Sequence, residues 1–134
     1  MITEDYVSFE IAKLLKEKGF GGDCFSMYVI SKPHSGIGNP NKAKIAPHGR
    51  DSHYYEGYEY QCEAPTLQMA MKWLREEKHI PIEILWHYDA DSDVEEWYFI
   101  HHAELRILPN DIEYYETYEG ACEAAIRYCL ENLI

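Results

Sequence analysis

"GYEYQCEAPTLQMAMKWLREE", residues 57 to 77, changes its period in mid-stretch. Tyr58, Tyr60 and Cys62 alternate with Glu59, Gln61 and Glu63, the pattern of a half-buried strand with one face inward. From Pro65 onward the spacing becomes helical. Leu67, Ala70, Met71 and Leu74 form one stripe, and Pro65 suits a first turn because its missing N–H would have no intrahelical partner. A strand that runs directly into an amphipathic helix sets the alternation of elements for the whole chain.

Working outward toward the N-terminus, CFSMYVI (24 to 30) is β-branched and aromatic enough to be the hairpin partner of 58–63. Before it, TEDYVSFEIAKLLKEKGF reads as helix one. Thr3 is its cap, Glu4 and Asp5 lie at its positive end, Val7, Ile11, Leu14, Leu15 and Lys18 keep the 3.6-residue period, and Gly19 stops it. Toward the C-terminus, IPIEILWHY alternates Ile82, Ile84, Trp86 and Tyr88 with Glu83, Leu85 and His87. The acidic DADSD and then VEEWYFIHHAEL complete a second hairpin. TYEGACEAAIRYCLENL closes the chain as helix three, with Thr117 as cap and Ala121, Cys122, Ala125, Ile126, Cys129 and Leu133 inward. The order α-β-β-α-β-β-α predicts an α+β fold: one four-stranded, mostly antiparallel sheet with three helices packed on it, in a single domain spanning 1–134.

The first hairpin is interrupted by SKPHSGIGNPNKAKIAPHGRDSHYY, residues 31 to 55. Prolines 33, 40 and 47 argue against a regular ladder, so the segment is expected to be a long loop. Its Lys42, Lys44, His48 and Arg50 form a candidate anion-receptive patch. A loop held to an acidic domain only by long-range attraction gains no more than about 1 kcal/mol per exposed pair. Shortening residues 33–52 to a turn is therefore expected to cost little stability, and protease to cut near Lys42, Lys44 or Arg50.

Charge is distributed unevenly along the 134 residues. The formal net charge is -12, yet residues 1–50 sum to +2 and residues 51–134 to -14. Nonspecific nucleic-acid binding depends on Lys and Arg displacing counterions, so the acidic bulk argues against it and for a basic partner. Mimicry of nucleic-acid charge by the acidic part is a weaker reading. Acids occupy the opening residues where a secretory signal would carry basic ones, and no stretch has the roughly 18 apolar residues of a membrane helix. A cytoplasmic protein with no membrane association is the expectation. The four cysteines, Cys24, Cys62, Cys122 and Cys129, lack C-x-x-C spacing and are expected to be reduced and in the core.

Familiar chemical motifs fail on inspection. DADSDVEEWYFI places Asp89, Asp91 and Asp93 as a calcium loop would, but Val94 stands where glycine is needed and Ile100 where a bidentate glutamate should close the shell. Adjacent His101 and His102 point to opposite sides of a strand. One of them beside His87 would make a two-histidine corner, short of the three or four ligands zinc needs. Gly36 and Gly38 are followed by Asn41 where a dinucleotide fingerprint needs glycine. No cofactor is implied and an enzyme is unsupported. Tyrosine is abundant, at twelve, and Tyr58 and Tyr60, then Tyr114, Tyr115 and Tyr118, are flanked by glutamates. Rigid amphipathic rings favour contact surfaces. The leading reading is a noncatalytic acidic interaction protein that meets a protein partner or forms a homodimer. The alternative is a small-ligand-binding protein or enzyme that uses the 31–55 loop over the sheet face.

The blocks ITEDYVSFEIAKLLKEKGF, APTLQMAMKWLRE and YEGACEAAIRYCLENLI together resemble those of a family of small uncharacterised proteins from Bacteroidetes-type gut bacteria and their prophages. The resemblance implies an intracellular accessory protein, often near mobile elements. It brings no active-site motif with it.

Overall fold

The computed structural model describes residues 2–22, 24–33, 36, 42–48, 57–102 and 112–134. In chain order the elements are α1 (Phe9–Glu17), β1 (Ser26–Ser31), β2 (Lys44–Pro47), β3 (Tyr58–Glu63), α2 (Leu67–Glu77), β4 (Ile82–Asp89), β5 (Val94–His101) and α3 (Tyr118–Asn132). The α+β class and the three helices are as expected. The sheet is not: among the described residues there are five strands in two antiparallel sheets, β2-β1-β3 and β4-β5, in place of one four-stranded sheet. The chain forms two compact units. The first is Tyr6–Thr66; the second is Leu67–Ile134 together with Met1–Asp5.

In the first unit the helix starts later than Thr3. Tyr6 bridges Thr66 and the Val7 N–H donates to the Pro65 carbonyl (3.0 Å), which holds this stretch extended. Ser8 is therefore the cap, its Oγ accepting from the Ile11 N–H at 3.3 Å. Ile11, Ala12 and Leu15 are buried, and the helix ends at Gly19, whose φ of 96° suits a residue without Cβ.

β1 is the central strand, pairing with β2 through Met27↔Ala46 and Val29↔Lys44 and with β3 through Tyr28↔Cys62 and Val29↔Tyr60. The β3 register skips Gln61, a bulge that divides the expected inward face. Cys62 pairs with Tyr28, on the side where the Tyr28 ring meets Phe9 at 5.3 Å and its hydroxyl donates to the Val7 carbonyl. Tyr58 and Tyr60 turn to the other face, where Tyr58 packs on Met27, Val29 and Ala46. The bulge leaves the Gln61 carbonyl to accept from Lys16 Nζ at 2.8 Å.

β2 corrects the loop expectation. Lys44–Pro47 is an edge strand inside the proline-rich segment, and Pro47 comes at its last position, where a missing N–H interrupts least. Ala46 is buried and Val29 is 1% exposed, so this short strand belongs to a small core.

In the second unit the Leu67 N–H donates to the Asp5 carbonyl at 2.9 Å, which ties the first residues to α2. Leu67, Ala70, Met71 and Leu74 are buried as the period required. Thr117 caps α3 as expected, its Oγ accepting from the Gly120 N–H at 2.9 Å. The inward face of α3 is Ala121, Cys122, Ala125, Ile126, Cys129 and Leu130, so Leu130 is buried where Leu133 was expected to be. β4 and β5 pair in full register from Ile82↔His101 to Asp89↔Val94. Tyr115 extends this sheet by one bridge, exchanging two backbone hydrogen bonds with Trp97 (2.8 and 2.7 Å). α3 lies along β5, with Tyr118 edge-on to Trp97 and Tyr128 against both Phe99 and His101. All four cysteines are free and buried.

Candidate functional site

Two candidate groups that are far apart in the sequence share one face of the β2-β1-β3 sheet. Lys44 Nζ stands 4.4 Å from the centre of the Tyr58 ring, and His48 Nε2 lies 3.0 Å from Glu63 Oε2 with its ring edge toward Tyr60. Glu63 gathers the rest. It accepts from the Tyr60 hydroxyl at 3.1 Å and, through its other oxygen, from the Cys24 N–H at 3.3 Å. Lys16 Nζ adds a cation 5.5 Å from the Tyr60 ring centre. Two of the proposed anion receptors, Lys44 and His48, are thus engaged by an aromatic ring and a carboxylate of their own unit. Lys42 is exposed, and Arg50 lies outside the described residues.

Partial burial, together with the Glu63 carboxylate that accepts its proton, pushes the Tyr60 hydroxyl up to about 12. The folded chain then keeps this proton through a range where the unfolded chain, with tyrosine near 10, has lost it. Stability from this group is present below pH 10 and falls as pH rises toward 12. In the variant Glu63→Gln the Tyr60 hydroxyl is expected to ionise at lower pH than in the native chain, while its burial keeps it above the ordinary tyrosine value. Tyrosinate absorbance during alkaline titration checks this, and an unchanged curve would detach Tyr60 from Glu63.

The other candidate tyrosines, Tyr114, Tyr115 and Tyr118, belong to the second unit and do not form one surface. Tyr114 meets His87 and Tyr98, at 5.1 and 5.7 Å between ring centres, on one side of the hairpin. Tyr115 stacks on Phe99 on the other side, and the Tyr118 hydroxyl accepts from Gln68 Nε2 at 3.0 Å. Burial first, and Glu113 second, raises the Tyr115 hydroxyl, and burial raises that of Tyr118. An open groove of about 510 Å³ beside α3 is lined by Phe99, Tyr115 and Tyr128 with Glu113, Glu123 and Arg127.

In the sequence pattern Trp86 and Tyr88 share one face of the hairpin with Ile82 and Ile84. Both are exposed, at 54% and 47%, because α3 covers β5 from Trp97 to His101 and leaves the end of β4 open. Their planes are nearly parallel, 18° apart, with centres 6.0 Å from each other. The Trp86 Nε1–H donates to Glu95 Oε1 at 2.8 Å and the Tyr88 hydroxyl donates to Asp93. That second bond holds the Tyr88 proton and raises its pKa.

The two-histidine corner considered from the sequence does not form with His101. Register places His101 opposite Ile82 and His87 opposite Glu96, on opposite faces, while His102 reaches Glu83 at 3.6 Å. Among the described residues no group of three or more His, Cys, Asp or Glu is arranged to hold a metal ion. Burial raises the thiols of Cys122 to about 11 and Cys129 to about 12, and it also raises Cys62, so these sulfurs are poor nucleophiles at neutral pH.

The two units divide the charge much as the sequence indicated. The first unit has seven Lys and Arg against seven Asp and Glu; the second has five against seventeen and so carries the whole net charge of -12. Among the described residues no helix is long and apolar enough to cross a membrane. In comparisons with known proteins, no family model, curated protein or solved structure matches the chain.

Proposed function

We propose that the protein is a noncatalytic interaction module whose second unit binds a basic protein partner. The observation that carries this reading is the concentration of the entire net charge on residues 1–5 and 67–134, a unit that also exposes Trp86, Tyr88, Tyr114 and Tyr128. Large aromatic rings supply contact area with little side-chain entropy to lose, and a one-signed field draws an oppositely charged partner in and excludes like-charged ones. The rival small-ligand reading gains less support, because Lys44 and His48 already have partners in their own unit. An accessory role near mobile elements, as the family resemblance implies, is compatible with a module of this kind.

The test is capture of purified basic proteins on the immobilised chain. Binding is expected at low ionic strength and should be lost near 1 M salt, where the screening length falls to roughly 3 Å. Capture that is indifferent to salt, or that prefers acidic proteins, would contradict the reading.

A further inference from the structure

We infer that the exposed face of Trp86 and Tyr88 at the end of the β4-β5 hairpin is the anchor point for an arginine side chain of the basic partner. This rests on the proposed function and names the partner chemistry at one place on the second unit.

The polar edges of the two rings are already used. Trp86 Nε1–H and the Tyr88 hydroxyl are spent on Glu95 and Asp93. What remains for a partner is the π-face of each ring, and the two bonds hold the rings in place before anything binds, which lowers the ordering cost of association. An aromatic face attracts cations, tryptophan most strongly. The surroundings point the same way, since residues 79–102 contain no Lys or Arg, while Asp89, Asp91, Asp93, Glu95 and Glu96 crowd the end of the hairpin.

Elsewhere the chain supplies its own cations to its rings: Lys13 over Phe9, Lys16 over Tyr60, Lys44 over Tyr58 and Lys78 over Trp73. Over Trp86 and Tyr88 no lysine or arginine of the described residues stands. A planar guanidinium can stack on a ring while its N–H groups reach flanking carboxylates, which a compact ammonium does less well. A second copy of this chain would bring the same negative charge to the patch, and nucleic acid would bring phosphates. Both are disfavoured as occupants.

The probe is an end-blocked peptide of alternating arginine and glycine, titrated into the intact chain beside its lysine and citrulline counterparts. Citrulline keeps the planar shape and removes the charge. The arginine peptide is expected to bind about threefold or more tighter than the lysine peptide, with the citrulline peptide weaker still. The double variant Trp86→Ala/Tyr88→Ala should lose affinity by about tenfold or more, whereas Glu123→Gln/Glu131→Gln, which removes two charges of the same unit on α3, should lose less than about threefold. A readout that needs no variant is ring-current shielding, with the arginine side-chain methylene protons moving upfield on binding.

Any of three peptide results would overturn the inference: equal affinity for the citrulline peptide, methylene protons that do not shift, or binding unchanged in the double variant. The last, with salt-sensitive binding retained, would leave the basic-partner reading standing and remove only the anchor. A dimer of the native chain that the double variant dissociates would assign the patch to a second copy, and so would also overturn it.

Discussion

Excision of residues 33–52, with the chain closed by a short turn, is expected to destabilise the first unit by at least about 3 kcal/mol. The shortened connection itself favours folding only weakly, since each halving of loop length is worth roughly 0.6 kcal/mol. Against this stands the loss of β2. Ala46 is removed, Met27 and Val29 lose their cover, and one edge of β1 is left with unpaired backbone groups. A buried side chain of that size contributes roughly 1.5–3 kcal/mol, so even partial exposure of the two outweighs the entropy gained. Denaturant unfolding with the midpoint and slope both followed measures the balance. A loss below about 1 kcal/mol would mean that β2 adds little and that the segment behaves as the loop its composition suggests. The same pairing makes Lys44 a poor protease site in the native chain, contrary to the expectation from composition.

Ile126→Ala is expected to cost about 3–4 kcal/mol, within the span found for truncating fully buried aliphatic side chains. Ile126 has no exposed surface and sits on the inward face of α3 between Cys122 and Cys129, which are equally buried. Its neighbours Ala121 and Ala125 are too small to fill the space by repacking. The melting temperature should fall by roughly 10 °C or more. Tyr128→Ala, on the exposed side of the same helix, is expected to cost only about 1 kcal/mol despite removing a larger ring, because its contacts with Phe99 and His101 are half open to solvent. If the two substitutions cost the same, the inward face of α3 has been misassigned.

The helices were readable because their information is local. The stripe Leu67, Ala70, Met71 and Leu74 and the cap at Thr117 depend on residues within a turn or two, and both are found where the period places them. The start of α1 was not readable, because Tyr6 and Val7 are held extended by Thr66 and Pro65, about sixty positions away. Alternation in 58–63 promised one inward face for Tyr58, Tyr60 and Cys62. A single bulged residue, Gln61, reverses that relation and leaves no mark in the pattern. Alternation also tells which residues share a face without telling whether two hairpins share a ladder. Here β1 and β3 accompany α1, and β4 and β5 accompany α3, within separate units.

The candidate site was legible in charge and hidden in geometry. The acidic character of the C-terminal part was plain, and the structure keeps most of it together, losing Asp51, Glu56, Glu59 and Glu63 to the first unit and adding Glu4 and Asp5. Tyr58, Tyr60, Lys44 and His48 were singled out for two separate roles and come together on one sheet face where they satisfy one another. Trp86 and Tyr88 were passed over because an apolar-polar alternation reads as burial. Only the position and length of the covering helix show that the strand runs past its protection.

The most direct measurement is a backbone amide map of the intact chain titrated with a short arginine-rich peptide, at low salt and again near 1 M salt, where charge interactions are screened within roughly 3 Å. The account predicts shifts confined to residues 1–5 and 67–134 that vanish at high salt. Shifts centred on residues 6–66, or an equal response at both salt concentrations, would contradict it.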